Sequence, residues 1–319
     1  MTPQRARALS MGGLLGTVLV VALAALLVSF GGALRIAPPT GPAPTQRPVP
    51  PGVERIIGAG DIADCGNGWD EWTARLVESY AGTVLALGDN AYETGSVADY
   101  RDCYAPSWGA FRDRTRPVPG NHDYGTRGAA GYFDYFGPSV TTDGDPWYAY
   151  DLGSWRLYAL DANCPAENAC DAAAELAWLV RDLAANPRQC VLAYWHQPRF
   201  SSGRHGSHPS LDPIWRALAA AGADVVLNGH DHIYERFAAL DADGQPAPTG
   251  MREFVVGTGG KDLYEIHAVK AGSEVRNAST FGVLVVDLRD GSYDWRFVPA
   301  EVPADEASNF TDAGTTRCH

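Results

Sequence analysis

The chain has 319 residues, 45% of them apolar and 20% charged, the balance of a globular protein with one large or two ordinary domains. Its formal net charge is -13 with only two lysines, which argues against nucleic acid or an anionic surface as partner. A phosphorylated small molecule stays admissible where bound cations supply positive charge locally.

In chain order, residues 1–10 carry Arg5 and Arg7, and residues 11–34 are an uncharged run dense in Leu, Val and Ala. The run is long enough to cross a bilayer as a helix and longer than the apolar part of a usual cleaved signal peptide. The expectation is therefore a single-pass anchor, with residues 1–10 in the cytoplasm, the folded part outside it, and membrane contact through this helix only. The alternative is secretion after cleavage at Ala33. Residues 35–52 are crowded with proline and read as an extended spacer. One domain over 53–303 and a tail over 304–319, loosely held apart from Cys318, complete the division. Six cysteines in an exported chain suggest disulfides, and chain proximity with elimination favours Cys65–Cys103, Cys164–Cys170 and Cys190–Cys318.

Within the domain, Arg55–Gly60 is β-prone, Trp69–Tyr80 has helical spacing and Thr83–Leu87 is apolar again, the alternation of a largely parallel sheet. Val97–Tyr104 reads as a helix and Arg116–Pro119 as a short strand interrupted by prolines. Trp147–Leu152 and Trp155–Leu160 flank Gly153-Ser154 as a two-residue hairpin. Asp171 caps a helix whose buried stripe is Leu176, Leu179, Val180 and Leu183. Strands follow at Cys190–Trp195 and Val225–Asn228, with a helix carrying Leu211, Ile214, Trp215 and Leu218 between them. Glu253–Val256, Gly282–Leu288 and Tyr293–Val298 are the last strands, the final two joined at Asp290-Gly291.

Five apolar runs end in succession at Asp61, Asp89, Asn121, His196 and His230. Strand exits on one edge of an α/β sheet are where ligands bind, and oxygen and nitrogen donors arriving from separate strands can assemble a two-cation site. Gly60-Asp61, Gly88-Asp89-Asn90-Ala91-Tyr92, Gly120-Asn121-His122, Tyr194-Trp195-His196 and Gly229-His230-Asp231-His232 resemble the five ordered motifs of the calcineurin-like metallophosphoesterases, specifically the purple acid phosphatases. The wider superfamily usually has Asp-x-His in the first motif, whereas this chain has Asp61-Ile62-Ala63, with Tyr92 placed as in the purple subgroup.

The resemblance implies an α/β/β/α sandwich of two sheets. It also implies Asp61, Asp89, Tyr92 and His232 around Fe(III), and Asn121, His196 and His230 around a divalent ion (Zn, Mn or Fe(II)), with Asp89 bridging. The implied reaction is hydrolysis of phosphomonoesters by a hydroxide activated between the two ions. His122 and His205 resemble the family's histidines for phosphate contact or general acid work. Alternatives are a phosphodiesterase with the same metal core, a non-catalytic phospho-ligand binder and an unrelated oxygenase site. Substrate identity and oligomeric state stay open.

Overall fold

Strand β1 (Glu54–Ala59) buries Ile56, Ile57 and Ala59, so both of its faces are covered, as inside a layered structure. The structure, a computed structural model, describes residues 39–301 and 308–319. Helix α1 (Trp69–Glu78) buries Ala74, Leu76 and Val77, and β2 (Thr83–Ala86) pairs parallel with β1. Ser96 and Asp99 form a capping box at the start of α2 (Val97–Asp99), which continues as a π-helical turn through Tyr104. The strand expected at Arg116–Pro119 is absent. Only single bridges join Val84 to Thr115 and Leu87 to Val118, because Pro117 and Pro119 have no N–H for a continuous ladder.

After α3 (Ala130–Phe136), β3 (Tyr148–Leu152) and β4 (Trp155–Ala159) form the expected hairpin. Helix α4 (Asn163–Glu167) precedes α5 (Ala172–Ala185), and Asp171 caps α5 by accepting from the N–H groups of Ala173 and Ala174. The predicted stripe on α5 needs correction, since Val180 is 50% exposed and Glu175 is buried beside Leu179. The reason is polar: Glu175 Oε1 accepts the Asp161 N–H at 2.7 Å, a donor that an apolar side chain would leave orphaned.

Strand β5 (Cys190–Tyr194), α6 (Asp212–Ala220) with Ile214, Trp215 and Leu218 buried, and β6 (Val225–Asn228) follow as read. Three strands were not foreseen among β7 (Tyr234–Leu240), β8 (Met251–Val256), β9 (Ser273–Asn277), β10 (Gly282–Arg289), β11 (Ser292–Pro299) and β12 (Asp312–Arg317): β7, β9 and β12. Residues 312–317 of the tail expected to be loose thus form an edge strand, paired antiparallel with β11.

The strands make two sheets, ordered β12-β11-β10-β1-β2 and β3-β4-β5-β6-β8-β7-β9. Both are mixed, not largely parallel. Along β5, Leu192 and Tyr194 join the core between the sheets, while Val191 and Ala193 join a second core with Leu179, Ile214, Trp215 and Leu218 of the helices. This period of two puts one face of the larger sheet on the smaller sheet and the other under α5 and α6. The mixed two-sheet α/β arrangement is the one the resemblance implied.

All three expected disulfides are present. Of the proline-rich spacer, residues 39–52 are described and are fastened to the domain: Arg75 Nη2 donates to Pro42 O at 2.7 Å, Arg47 N–H to Ser79 O at 2.7 Å and Ala81 N–H to Arg47 O at 3.1 Å. Among the described residues no helix is long and apolar enough to cross a membrane, and the span expected at 11–34 lies outside them.

Candidate metal centre

Parallel pairing of β1 with β2 and of β5 with β6 brings four strand exits to one edge. Backbone bonds then lock the exits together: Asp61 N–H to Gly88 O at 3.0 Å, and Gly229 N–H to His196 O at 3.0 Å. Asp61, Asp89 and His230 have φ of 60°, 49° and 70°, in the left-handed region that residues with a Cβ enter at a cost. Glycine permits the crowding around them. A Cβ on Gly120 would lie 2.1 Å from Asp89 Oδ1, and one on Gly88, at φ +84°, 2.5 Å from His196 Nδ1.

Each aspartate divides its oxygens between scaffold and interior. Asp61 Oδ2 accepts the His230 N–H at 2.8 Å, leaving Oδ1 3.1 Å from Tyr92 Oη and 3.2 Å from His232 Nε2. Asp89 Oδ1 accepts the His122 N–H at 2.8 Å, leaving Oδ2 3.2 Å from both Tyr92 Oη and His196 Nε2. Tyr92 Oη is also 3.4 Å from His232 Nε2. Asp61, Asp89, Tyr92 and His232 therefore converge as one group. Asp89, His196 and His230 converge as another, with one donor atom from each inside a 4.8 Å span. Asp89 belongs to both. Asn121 is joined to them less directly, through its neighbours Gly120 and His122 against Asp89.

The histidine tautomers follow from their outer contacts. His196 Nδ1–H donates to Leu87 O at 2.8 Å and His232 Nδ1–H to the Asp262 carboxylate, so both Nε2 atoms turn inward. His196 Nε2 and Asn121 Oδ1 are buried with no hydrogen-bond partner among the described residues. Such orphaned atoms beside carboxylate oxygens are what a cation would satisfy, and the all-oxygen-and-nitrogen donor set suits Fe(III) or a borderline divalent ion. The residues present fit a pair of metal ions.

Electrostatics points the same way. Burial opposes a charge on His196, yet Asp89 and Asp61 outweigh it and lift its pKa to about 9. Burial likewise opposes a charge on His232, and Asp61 with Asp262 raises it to about 10. Burial, Asp61 and Asp89 push the Tyr92 phenol well above its usual value. His230 differs, since burial and the neighbouring His196 hold it neutral and available as a ligand.

Of the two histidines expected beside the ions, His122 is partly exposed, its ring 4.5 Å from Tyr92 and its Nδ1–H donating to Glu93 O at 2.7 Å. The His205 ring lies 4.5 Å from that of His230. His205 is held by Asp231, whose carboxylate accepts the N–H groups of His205 at 2.7 Å and Gly206 at 3.1 Å and the Ser201 hydroxyl. Asp64, beside the departure at Ala63, turns away to Lys261 Nζ at 2.9 Å. Sequence reasoning missed Asp262, Asp231 and Tyr264, which stacks on His232 at 4.0 Å and 8°. Asp231 stood inside the last motif and was readable as a loop anchor. Asp262 and Tyr264, in irregular chain thirty residues on, carried no signal.

A sequence profile for the calcineurin-like phosphoesterases matches residues 45–234. Purple acid phosphatase 15 of Arabidopsis thaliana is 26% identical over 248 residues, covering 65% of this chain and 45% of its own. Purple acid phosphatase 21 of the same plant is 22% identical over 293 residues, covering 82% and 64%. The chain thus spans between about half and two thirds of the length of the curated relatives it matches. Among solved structures, the purple acid phosphatase PPD1 of yellow lupin (Lupinus luteus) superposes with a TM-score of 0.61 at 16% identity, covering 87% of this chain and 55% of that one. GAP50, the anchor in the inner membrane complex of Plasmodium, gives 0.59 at 16% identity, covering 82% and 88%. The profile match takes in more than half of the chain, and all five motifs fall inside it: the chain belongs to the calcineurin-like phosphoesterase family and is purple acid phosphatase-like.

Proposed function

We propose that the protein is an exported phosphomonoesterase working with two metal ions, Fe(III) among Asp61, Asp89, Tyr92 and His232 and a divalent ion among Asp89, Asn121, His196 and His230. The observation that carries this is the pair of overlapping donor groups sharing Asp89 Oδ2, with Nε2 of His196 and Oδ1 of Asn121 buried and unbonded. When bound, such a pair of cations acidifies water and neutralises charge on phosphoryl oxygens. The protein's own share is orientation and proton handling. Asp61 and Asp89 each hold a backbone N–H with one oxygen, so the inward oxygen cannot swing away. His122 is fixed through Nδ1 to Glu93 O, which leaves Nε2 to touch the phosphate or give a proton to the departing alkoxide. His205, on the Asp231-anchored loop beside His230, is the second such donor. The three disulfides support an oxidising location outside the cytoplasm, consistent with an anchor or secretion signal in residues 11–34.

Metal analysis and a visible spectrum on one preparation, with turnover of p-nitrophenyl phosphate and its bis ester, test this reading. Two metals per chain including iron, a phenolate-to-iron absorption band and preference for the monoester are expected. Preference for the bis ester would make it a phosphodiesterase. Binding of phosphate without turnover of either would make it a phospho-ligand binder.

A further inference from the structure

The stretch 257–272 between β8 and β9 has neither helix nor strand, yet its backbone is tied to the metal centre's surroundings. Lys261 N–H donates to Asp61 O at 2.9 Å, Tyr264 N–H to His232 O at 2.9 Å, and His267 N–H to Ser202 O at 2.8 Å. Lys270 N–H closes the series on Ser202 Oγ at 2.9 Å. Segments held in this way present a preformed surface and lose little entropy when a ligand arrives.

Tyr264 is the hinge between that surface and the chemistry. Its ring stacks on His232 and lies 5.4 Å from His205. It also lines a cavity of about 330 Å³ with Arg204, Leu263, Glu265, Ile266 and His267, none of which the reaction itself uses. Arg204, next to His205 in sequence, sets its guanidinium 5.2 Å from the Tyr264 centroid, near enough to Asp262 to favour that carboxylate's charge.

We propose that this cavity takes the alcohol part of the ester and selects phosphomonoesters of aromatic alcohols, an inference that rests on the phosphomonoesterase reading above. Tyr264, its ring 4.0 Å from His232 and 5.4 Å from His205, joins the cavity to the metal centre, so the ester substituent of a phosphoryl group held there is directed toward it. The walls there combine two aliphatic side chains, an aromatic ring and a guanidinium, with the Glu265 carboxylate and His267 imidazole beside them. Guanidinium and phenol both stack on flat π-systems, and Leu263 and Ile266 cover its edge. The volume is at the lower end for small-molecule pockets, suited to one ring and largely unfilled by a short alkyl chain.

The test compares benzyl phosphate with ethyl phosphate, whose leaving alkoxides are of similar basicity, using the full metal-loaded chain. A KM about tenfold lower for benzyl phosphate is expected in the wild type. Arg204→Ala and Ile266→Ala should each erase several-fold of that ratio, with Ile266→Leu restoring it. Val269→Ala, exposed and outside the cavity, should leave both KM values alone. Equal KM values in the wild type, or a ratio that survives both alanine variants, would overturn the aromatic selection while leaving the phosphomonoesterase reading intact. Turnover of neither ester overturns both.

Discussion

Asp61 and Asp89 carry most of the information at the residue scale, because a carboxylate that spends one oxygen on a backbone N–H has a single direction for the other. The imidazoles follow the same logic. His232 is set by Asp262, a partner that fixes its tautomer and raises the basicity of Nε2. Asp262→Asn should therefore weaken metal binding by roughly 10- to 100-fold without removing a ligand. Competition with a chromogenic chelator measures this, and an unchanged affinity would show that the Asp262 contact does not tune the site. Five of the seven ligand candidates stand where an apolar run stops, and Tyr92 and His232 were read from the resemblance of the motifs around Asp89 and His230. Their supports were not legible, because a hydrogen bond between His232 and a residue thirty positions away in irregular chain leaves no periodic trace.

At the scale of elements, the predicted helices and hairpins hold where a local pattern dictates them. The Asp171 cap, the Gly153-Ser154 turn and the stripe of α6 need only their neighbours. Elements set by distant partners escaped. β12 has alternating burial but little apolar content, and it exists because β11 offers it an edge. Cys318 follows it directly and joins Cys190 at the start of β5 in the other sheet, closing a separation of 128 residues against 6 for Cys164–Cys170. On chain entropy the long loop contributes about 5 kcal/mol and the short one about 2 kcal/mol. Replacing both cysteines of a pair by alanine should thus cost markedly more stability for Cys190–Cys318, as read from urea unfolding. Equal losses would mean that β12 is held by its ladder alone.

For the molecule as a whole, a chain of net charge -13 concentrates two carboxylates, a phenol and several imidazoles at one buried edge. Gathering them without cations costs desolvation and repulsion, so the metal pair should be a stabilising ligand as well as a reagent. At a free metal concentration a thousand times the dissociation constant, linkage predicts about 4 kcal/mol. Stripping the ions with a chelator should lower the melting temperature by roughly ten degrees, with recovery on adding metal back. Asp89→Ala should be insensitive to the chelator. A melting temperature that ignores chelation in the wild type would mean that the folded protein does not depend on bound ions.

The sequence by itself determined the strand exits where five of the candidate ligands stand, and the local elements between, because apolar period, capping residues and abrupt stops act over a few positions. The even count of six cysteines suggested disulfides, and chain proximity with elimination favoured the three pairings that the structure contains, though fifteen were open to the sequence. Only the tertiary structure decided that the two sheets are mixed, that Glu175 is buried on α5, and that Asp262 and Tyr264 stand behind His232. Those outcomes depend on which backbone and side-chain groups meet across the interior, and such meetings are settled by packing and hydrogen-bond satisfaction among residues far apart in the chain.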